Sequence, residues 1–201
     1  MVRIAKYSDN SFIDGAIDIA AQYGIACVSM SAIAVKAGAP IGSVYHRFES
    51  RSAILARAWL KVKADFRREV ASLWRADDSW SAVAALLGWC RDKPVYARFW
   101  LQCDAGPDFG GPLMPDLQAQ VKAEQAALDA CFLRCAQAGQ NSALPMLPAL
   151  RFLLLDAPIA MVKPYLMQNQ SIPLCAEAIL RASHDAVRAW AAETNRSTQL
   201  K

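Results

Sequence analysis

Apolar residues recur along this chain every three or four positions, the period of an α-helix packed on one face. In residues 11–23, Phe12, Ala16, Ile19, Ala20 and Tyr23 share a face, and Gly24 follows as a C-terminal cap. Ser29 stands where an N-cap is needed for a second helix over 30–37, with Met30, Ile33, Ala34 and Ala37 inward. Gly38 breaks that helix. A third, short helix is predicted over 41–48 with Val44 and Phe48 inward, and Ser50 caps a long fourth that begins RSAILARAWLKVKADFRREVASLW. Beyond Arg75 the pattern stays helical, with helices predicted over 80–90, 95–103, 117–138, 148–167 and 173–193. Pro94 and the stretches AGPDFGGPLMP, GQNSALP and NQSIP separate them, and the final TNRSTQLK is expected to fray. No convincing strand, repeat or low-complexity tract is present, so the predicted fold class is all-α.

Composition supports that reading. With 201 residues, 55% of them hydrophobic, the chain can fill a sizeable core, and alanine and leucine lead its apolar content, which favours helix. The net charge of +4 is mildly basic, and its distribution says more than its sum. Residues 51–75 gather Arg51, Arg57, Lys61, Lys63, Arg67, Arg68 and Arg75 against Asp65 and Glu69, a run that reads first as a solvated helix face.

Six cysteines (Cys27, Cys90, Cys103, Cys131, Cys135 and Cys175) sit in apolar helical contexts without CxxC pairs. The start MVRIAKYSDN is charged and lacks the apolar core of a secretory leader. Small buried thiols in a cytoplasmic protein are therefore expected rather than disulfides. No apolar run reaches the roughly 18 residues a membrane span needs. LPALRFLLLDAPIAMV comes nearest, and it contains Arg151, Asp156 and Pro158.

The segment IAVKAGAPIGSVYHRF, residues 33–48, holds the candidate chemistry. Two short helices joined by a tight glycine turn have the helix-turn-helix geometry, in which the second helix enters a DNA major groove about 12 Å wide. Gly38 suits the turn, and Ile33, Ala34, Ala37 and Val44 lock the helices at their angle. Gly42 and Ser43 permit close approach, and Tyr45, His46 and Arg47 have the reach for phosphates. Periodicity alone leaves an ordinary helical corner and a DNA-reading device both open.

The ordered set Gly24, Val28-Ser29-Met30, Ile33-Ala34, Ala37-Gly38, Gly42-Ser43-Val44-Tyr45-His46, Phe48, Ser50-Arg51 and Leu55 resembles the N-terminal domain of the TetR family of transcriptional regulators. The resemblance covers residues 11–58, and beyond them only size and helicity match. It implies a homodimer with a three-helix DNA-binding head (1–52) and a helical ligand-binding and dimerisation body (53–201). In most members ligand binding lowers operator affinity. Carried onto this chain, it implies phosphate contacts from Ser29 and Ser31 and a recognition tip at Pro40, Ile41, Gly42 and Ser43. Tyr45 and His46 take phosphate or base contacts, and Arg51 pins the backbone where the family usually has lysine. Three departures stand out. Pro40 replaces a frequent serine and cannot cap through a side chain. Ile41 replaces a frequent lysine. Ala32 replaces the usual acid, so Ser29 lacks a capping-box partner. With few polar readers of bases, binding is expected to be salt-dependent and to lean on DNA shape.

The body carries little that looks catalytic. His184 has Asp185 beside it, and adjacent helical residues are expected to point apart. No serine–histidine–acid set or metal-ligand spacing is evident, and Cys131 with Cys135 reads as two buried small residues. Trp89, Phe99, Trp100, Cys103, Phe109, Met114, Leu117, Val121, Leu128, Phe132, Phe152 and Leu155 recur on facing helices, either as core or as the lining of an apolar pocket. The resemblance places the dimer interface on residues 148–167 and 173–193, where Ala157, Ile159, Ala160, Val162 and Leu166 offer a close-packing face, with Leu180, Val187 and Trp190 from the last helix. Pro158 and Pro164 are expected to kink the first of these helices.

The resulting expectation is a dimeric repressor released from a palindromic operator by a small apolar or aromatic effector. No cofactor, metal, membrane or catalytic role is expected. A ligand-independent or activating DNA binder is the alternative, and an enzyme or small-molecule carrier is a more distant one.

Overall fold

In the computed structural model, which describes residues 7–75, 78–103, 108–139 and 147–199, all regular structure is helical. The helices are α1 (Asp9–Tyr23), α2 (Met30–Lys36), α3 (Ile41–Tyr45), α4 (Arg51–Glu69), α5 (Ser79–Asp92), α6 (Pro94–Gln102), α7 (Pro115–Gly139), α8 (Leu147–Arg151), α9 (Ala157–Met167) and α10 (Cys175–Gln199). Short 3-10 turns lie at Ile25–Cys27 and Ala71–Leu73, and a π-helical turn at Phe152–Asp156 joins α8 to α9. No helix among the described residues is long and apolar enough to cross a membrane.

The chain falls into two compact units, one built from Met1–Ala64 and Val95–Glu124, the other from Asp65–Pro94 and Gln125–Lys201. In the first, α1 to α3 pack around Phe12, Ile17, Ile33, Val44 and Phe48, all fully buried, with the Phe12 and Phe48 rings edge to face at 6.2 Å. In the second, Phe66 meets Trp89 at 5.3 Å and Trp74 at 6.1 Å, and Trp74 meets Phe132 at 6.1 Å.

The local signals for helix boundaries act as expected at several ends. Ser29 Oγ accepts the Ala32 N–H at 3.1 Å, and Ser50 Oγ accepts the Ala53 N–H at 3.1 Å. Pro94 and Pro115 each open a helix at the position where a missing N–H costs nothing.

Several expectations are corrected. Tyr23 is 63% exposed, because Gly24 turns the chain just as its face would reach the core. Ala37 is the half-buried C-cap of α2 rather than a core residue. Cys27 and Cys175 are exposed, and Cys90, Cys103, Cys131 and Cys135 are buried free thiols. The helix expected over 148–167 is divided by the π turn, in which the Ala157 N–H bonds to Phe152 O. The widened turn lies directly before Pro158, whose ring would collide with the carbonyl four residues back in a regular helix. The backbone of α10 runs through Gln199 instead of ending near 193. The expected break at GQNSALP falls mostly outside the described residues.

Candidate nucleic-acid interface

The recognition corner is set by one turn. Ala39 N–H bonds to Ala34 O at 2.9 Å and Gly38 N–H to Val35 O at 3.1 Å, the two closures of a Schellman motif. The motif needs a left-handed residue at its centre, and Gly38 supplies it at φ +63°. The Tyr7 hydroxyl donates to Gly38 O at 2.8 Å, which ties the segment before α1 to this turn. The chain then enters α3 through Pro40, whose φ of −60° suits a helix start although it offers no side-chain cap.

Val44 and Phe48 anchor α3 inward, so the opposite side is bare. Pro40, Ile41, Gly42, Tyr45 and His46 are exposed, and Ser43 and Arg47 are half-buried. Nothing lies within 4 Å of a Cβ built on Gly42, so the tip is open for close approach. At the start of α2, Ser29 and Ser31 share a hydrogen bond of 3.0 Å between their hydroxyls, with Ser31 exposed. The expected residues of both short helices are thereby brought onto one corner.

Arg51 is placed differently. It opens α4, and its guanidinium points back into the first unit, where Nε donates to Val28 O at 2.6 Å, Nη2 to Ile25 O at 2.6 Å and Nη1 to Phe109 O at 3.4 Å.

The cations around the corner arrive with partners. Lys36 lies 3.2 Å from Asp18, Arg47 2.6 Å from Asp9, Arg57 3.7 Å from Glu49 and Lys61 2.5 Å from Asp14. The Lys61 ammonium is held above its usual 10.5: burial works against the charge, and the Asp14 bond with the neighbouring Tyr96 outweighs it. Helical periodicity does not show these pairs, nor Tyr7 or Gln102 as holders of the turns, because each joins residues of different elements, most of them far apart in the chain.

The expected pocket residues divide between the units. Phe99, Trp100, Cys103, Phe109, Leu117 and Val121 are buried in the first, and Trp89 and Leu128 in the second. In the first unit Phe109 packs edge to face on Trp59 at 6.3 Å, and the Lys63 ammonium lies 5.5 Å from the Trp59 ring and 5.2 Å from the Trp100 ring. Burial pushes the Cys103 thiol up to about 11 despite the charge of Lys63. Met114 is 60% exposed and stands apart from the buried set.

Phe152 lines a surface groove on the second unit, about 640 Å³ in volume, together with Ala157, Ala160, Met161, Ile179 and Leu180. Of the expected interface residues, Ala160 and Trp190 are exposed, and Ala157, Ile159 and Val187 are half-buried. Val162, Leu166 and Leu180 are buried within the protomer itself.

One reading of the body is overturned. His184 Nδ1 lies 3.2 Å from Asp185 Oδ1, and its Nε2 lies 2.9 Å from Ser79 Oγ, so the adjacent residues do meet and a serine–histidine–acid set exists. Ser79 has no exposed surface and His184 is 4% exposed, so no substrate reaches that hydroxyl. The set is a buried polar tie between α5 and α10.

Residues 12–58 match the family model described as bacterial regulatory proteins, tetR family. No curated protein sequence matches the chain. Solved structures resemble it over nearly the full length. A TetR family transcription regulator from Marinobacter aquaeolei VT8 is 19% identical with a TM-score of 0.60, over 89% of this chain and 94% of that one. The fatty acid degradation regulator FadR from Bacillus halodurans is 15% identical with a TM-score of 0.62, over 92% and 96%. The TetR family regulator PfmR from Thermus thermophilus is 19% identical with a TM-score of 0.57, over 91% and 96%. The exposed corner lies inside the matched segment, so the head is a tetR-family helix-turn-helix domain, carried on the all-α fold of the TetR family transcription regulators.

Proposed function

We propose that the protein is a homodimeric repressor that binds a palindromic operator and leaves it when a small apolar or aromatic effector occupies the body. The observation that carries this reading is the bare corner. A Schellman turn at Gly38 holds α3 by Val44 and Phe48 and leaves Pro40, Ile41, Gly42, Tyr45 and His46 free to meet a groove. The hydroxyls of Ser29 and Ser31 at the start of α2, with Tyr45, His46 and Arg47, supply the phosphate contacts that fix register. The tip from Pro40 to Ser43 has few groups for base edges, so apolar contact with thymine methyls and DNA shape carry much of the sequence preference.

Two heads on a two-fold axis suit two half-sites about one helical turn apart. The apolar groove and the exposed Ala160, Ile179 and Trp190 on α9 and α10 support a second copy of the chain as its occupant. The buried aromatic residues around Trp59, Trp100 and Phe109, with a lysine ammonium against two indoles, suit an apolar or aromatic effector.

Selection of bound duplexes from genomic DNA by the purified protein tests the reading. A palindromic consensus, with a complex containing two chains, is expected. Failure to enrich any sequence overturns it. An effector recovered with that operator should change its affinity roughly 5–150-fold, and a bound effector with no such effect removes the ligand-responsive part.

A further inference from the structure

Resting on the DNA-binding reading, we propose that Arg51 is a positioning residue that couples the 109–111 loop to the turn between α1 and α2, so that the seating of this loop sets the placement of the recognition corner. A guanidinium has five N–H donors in a rigid fork. Here that fork is spread over two stretches of chain: Ile25 O and Val28 O on the turn that leads into α2, and Phe109 O on the loop after α6. Its donors meet carbonyl oxygens on both, so the half-buried guanidinium is turned toward the backbone of the first unit.

The loop is fitted to this contact. Gly110 has φ +73°, and a Cβ there would stand 3.1 Å from Arg51 Nη1. A Cβ on Gly111 would stand 2.6 Å from Ser52 Oγ, closer than any side chain tolerates. Both glycines therefore let the backbone lie directly on the start of α4. The Phe109 side chain anchors the loop from the other direction by packing against Trp59. The same turn is gripped a second time from α6. Gln102 Oε1 accepts the Ile25 N–H at 3.0 Å, and its Nε2 donates to Ala20 O at 2.8 Å. The turn that aims α2 is thus held by side chains from α4 and α6, and Arg51 reaches both it and the loop.

The test is binding of a selected duplex across a series of salt concentrations by the wild type, Arg51→Lys, Arg51→Met and Gly111→Val, well below the melting temperature of each. A lysine keeps the charge but loses the fork. Arg51→Lys and Gly111→Val are each expected to weaken binding about tenfold. The slope of log K against log salt should be unchanged in all three variants. A phosphate contact would behave otherwise. Arg51→Lys would retain the affinity, and Arg51→Met would lower the slope by about 0.9; either result overturns the proposal. Hydrogen exchange on the DNA-free protein supplies an independent arm. Gly111→Val should speed exchange at the Cys27 and Val28 amides, which close the turn onto Gly24 O and Ile25 O, and leave α5 unaffected. Unchanged exchange at the turn refutes the coupling. Should the wild type bind no duplex, the DNA-binding reading falls and the exchange arm alone decides whether loop and turn are coupled.

Discussion

Ser79 and His184 meet through Oγ and Nε2 at 2.9 Å, in a contact that joins α5 to α10 and is closed to solvent. Arg188 Nη1 donates to the same hydroxyl at 3.4 Å, and on the other side of the ring Nδ1 faces the Asp185 carboxylate at 3.2 Å. Burial is the largest cause holding His184 below its usual 6.5; the Asp185 bond opposes this, and the charges of Arg188 and Arg181 add to it. The unfolded chain therefore binds the proton first as pH falls. The stabilisation is fully present above pH 6.5 and is lost as pH drops from there through the folded value. His184→Gln should cost about 1–2 kcal/mol at pH 7.5 and progressively less toward pH 5. Paired thermal melts check this, and a gap between the two proteins that stays constant with pH would contradict it.

Arg47 is held by Asp9 at 2.6 Å, at the edge of the exposed corner. Removing the acid's charge should strengthen the Arg47 contact with phosphate, which Asp9 otherwise competes for. Asp9→Asn is expected to tighten binding to specific and unrelated duplexes alike, and to steepen the salt slope by up to about 0.9. Anisotropy titrations on both kinds of duplex measure it. A gain confined to the operator would mean that Arg47 reads sequence instead.

Gly38 has no atom within 4 Å of a Cβ position, so the cost of replacing it is conformational alone. Gly38→Ala should lower stability by about 1–2 kcal/mol, and Gly38→Asn by less, since asparagine tolerates the left-handed region. Equal losses in urea denaturation would show that something other than φ is at stake.

Asp65, at the point where α4 enters the second unit, accepts from Trp89 Nε1 at 2.9 Å and Lys93 Nζ at 2.8 Å, with Arg68 also bonded. Burial alone would raise its carboxyl. The bonds from Lys93 and Trp89, with the charges of Lys93 and Arg68, outweigh burial and hold it below 3.8. Its contribution is therefore present above pH 3.8 and lost as pH falls below that value. Asp65→Asn should cost about 2 kcal/mol at pH 7, and the difference from wild type should disappear in strong acid. Chemical denaturation at the two pH values is the measurement.

Much of the head was legible because its signals are local. Ser29, Gly38 and Ser50 act on backbone groups within five residues of themselves, and Val44 and Phe48 follow the helical period. What escaped was long-range or depended on register. The reach of Tyr7 to Gly38, the grip of Gln102 on Ile25 and the ion pairs of the corner join segments that only the fold brings together. His184 and Asp185 were misjudged because neighbouring side chains diverge at Cβ but can reconverge at their tips. Periodicity marked 148–167 as one helix because a π turn preserves the apolar alternation while shifting its phase. The loop at 109–111 read as punctuation, since glycine spacing does not reveal which surface the backbone must touch.

The paired cations of the corner bear on how such a protein would find its site. Lys36 and Arg47 in the head, and Arg57 and Lys61 on α4, each have a carboxylate within 4 Å, so each projects less positive field than a bare cation would. Random-sequence DNA is held almost wholly by that field. A head compensated in this way would make short, shallow visits to bulk genome and spend little time sliding. Occupancy of an operator would then depend on the number of molecules in the cell and their free diffusion, with chromosomal DNA acting as a small reservoir.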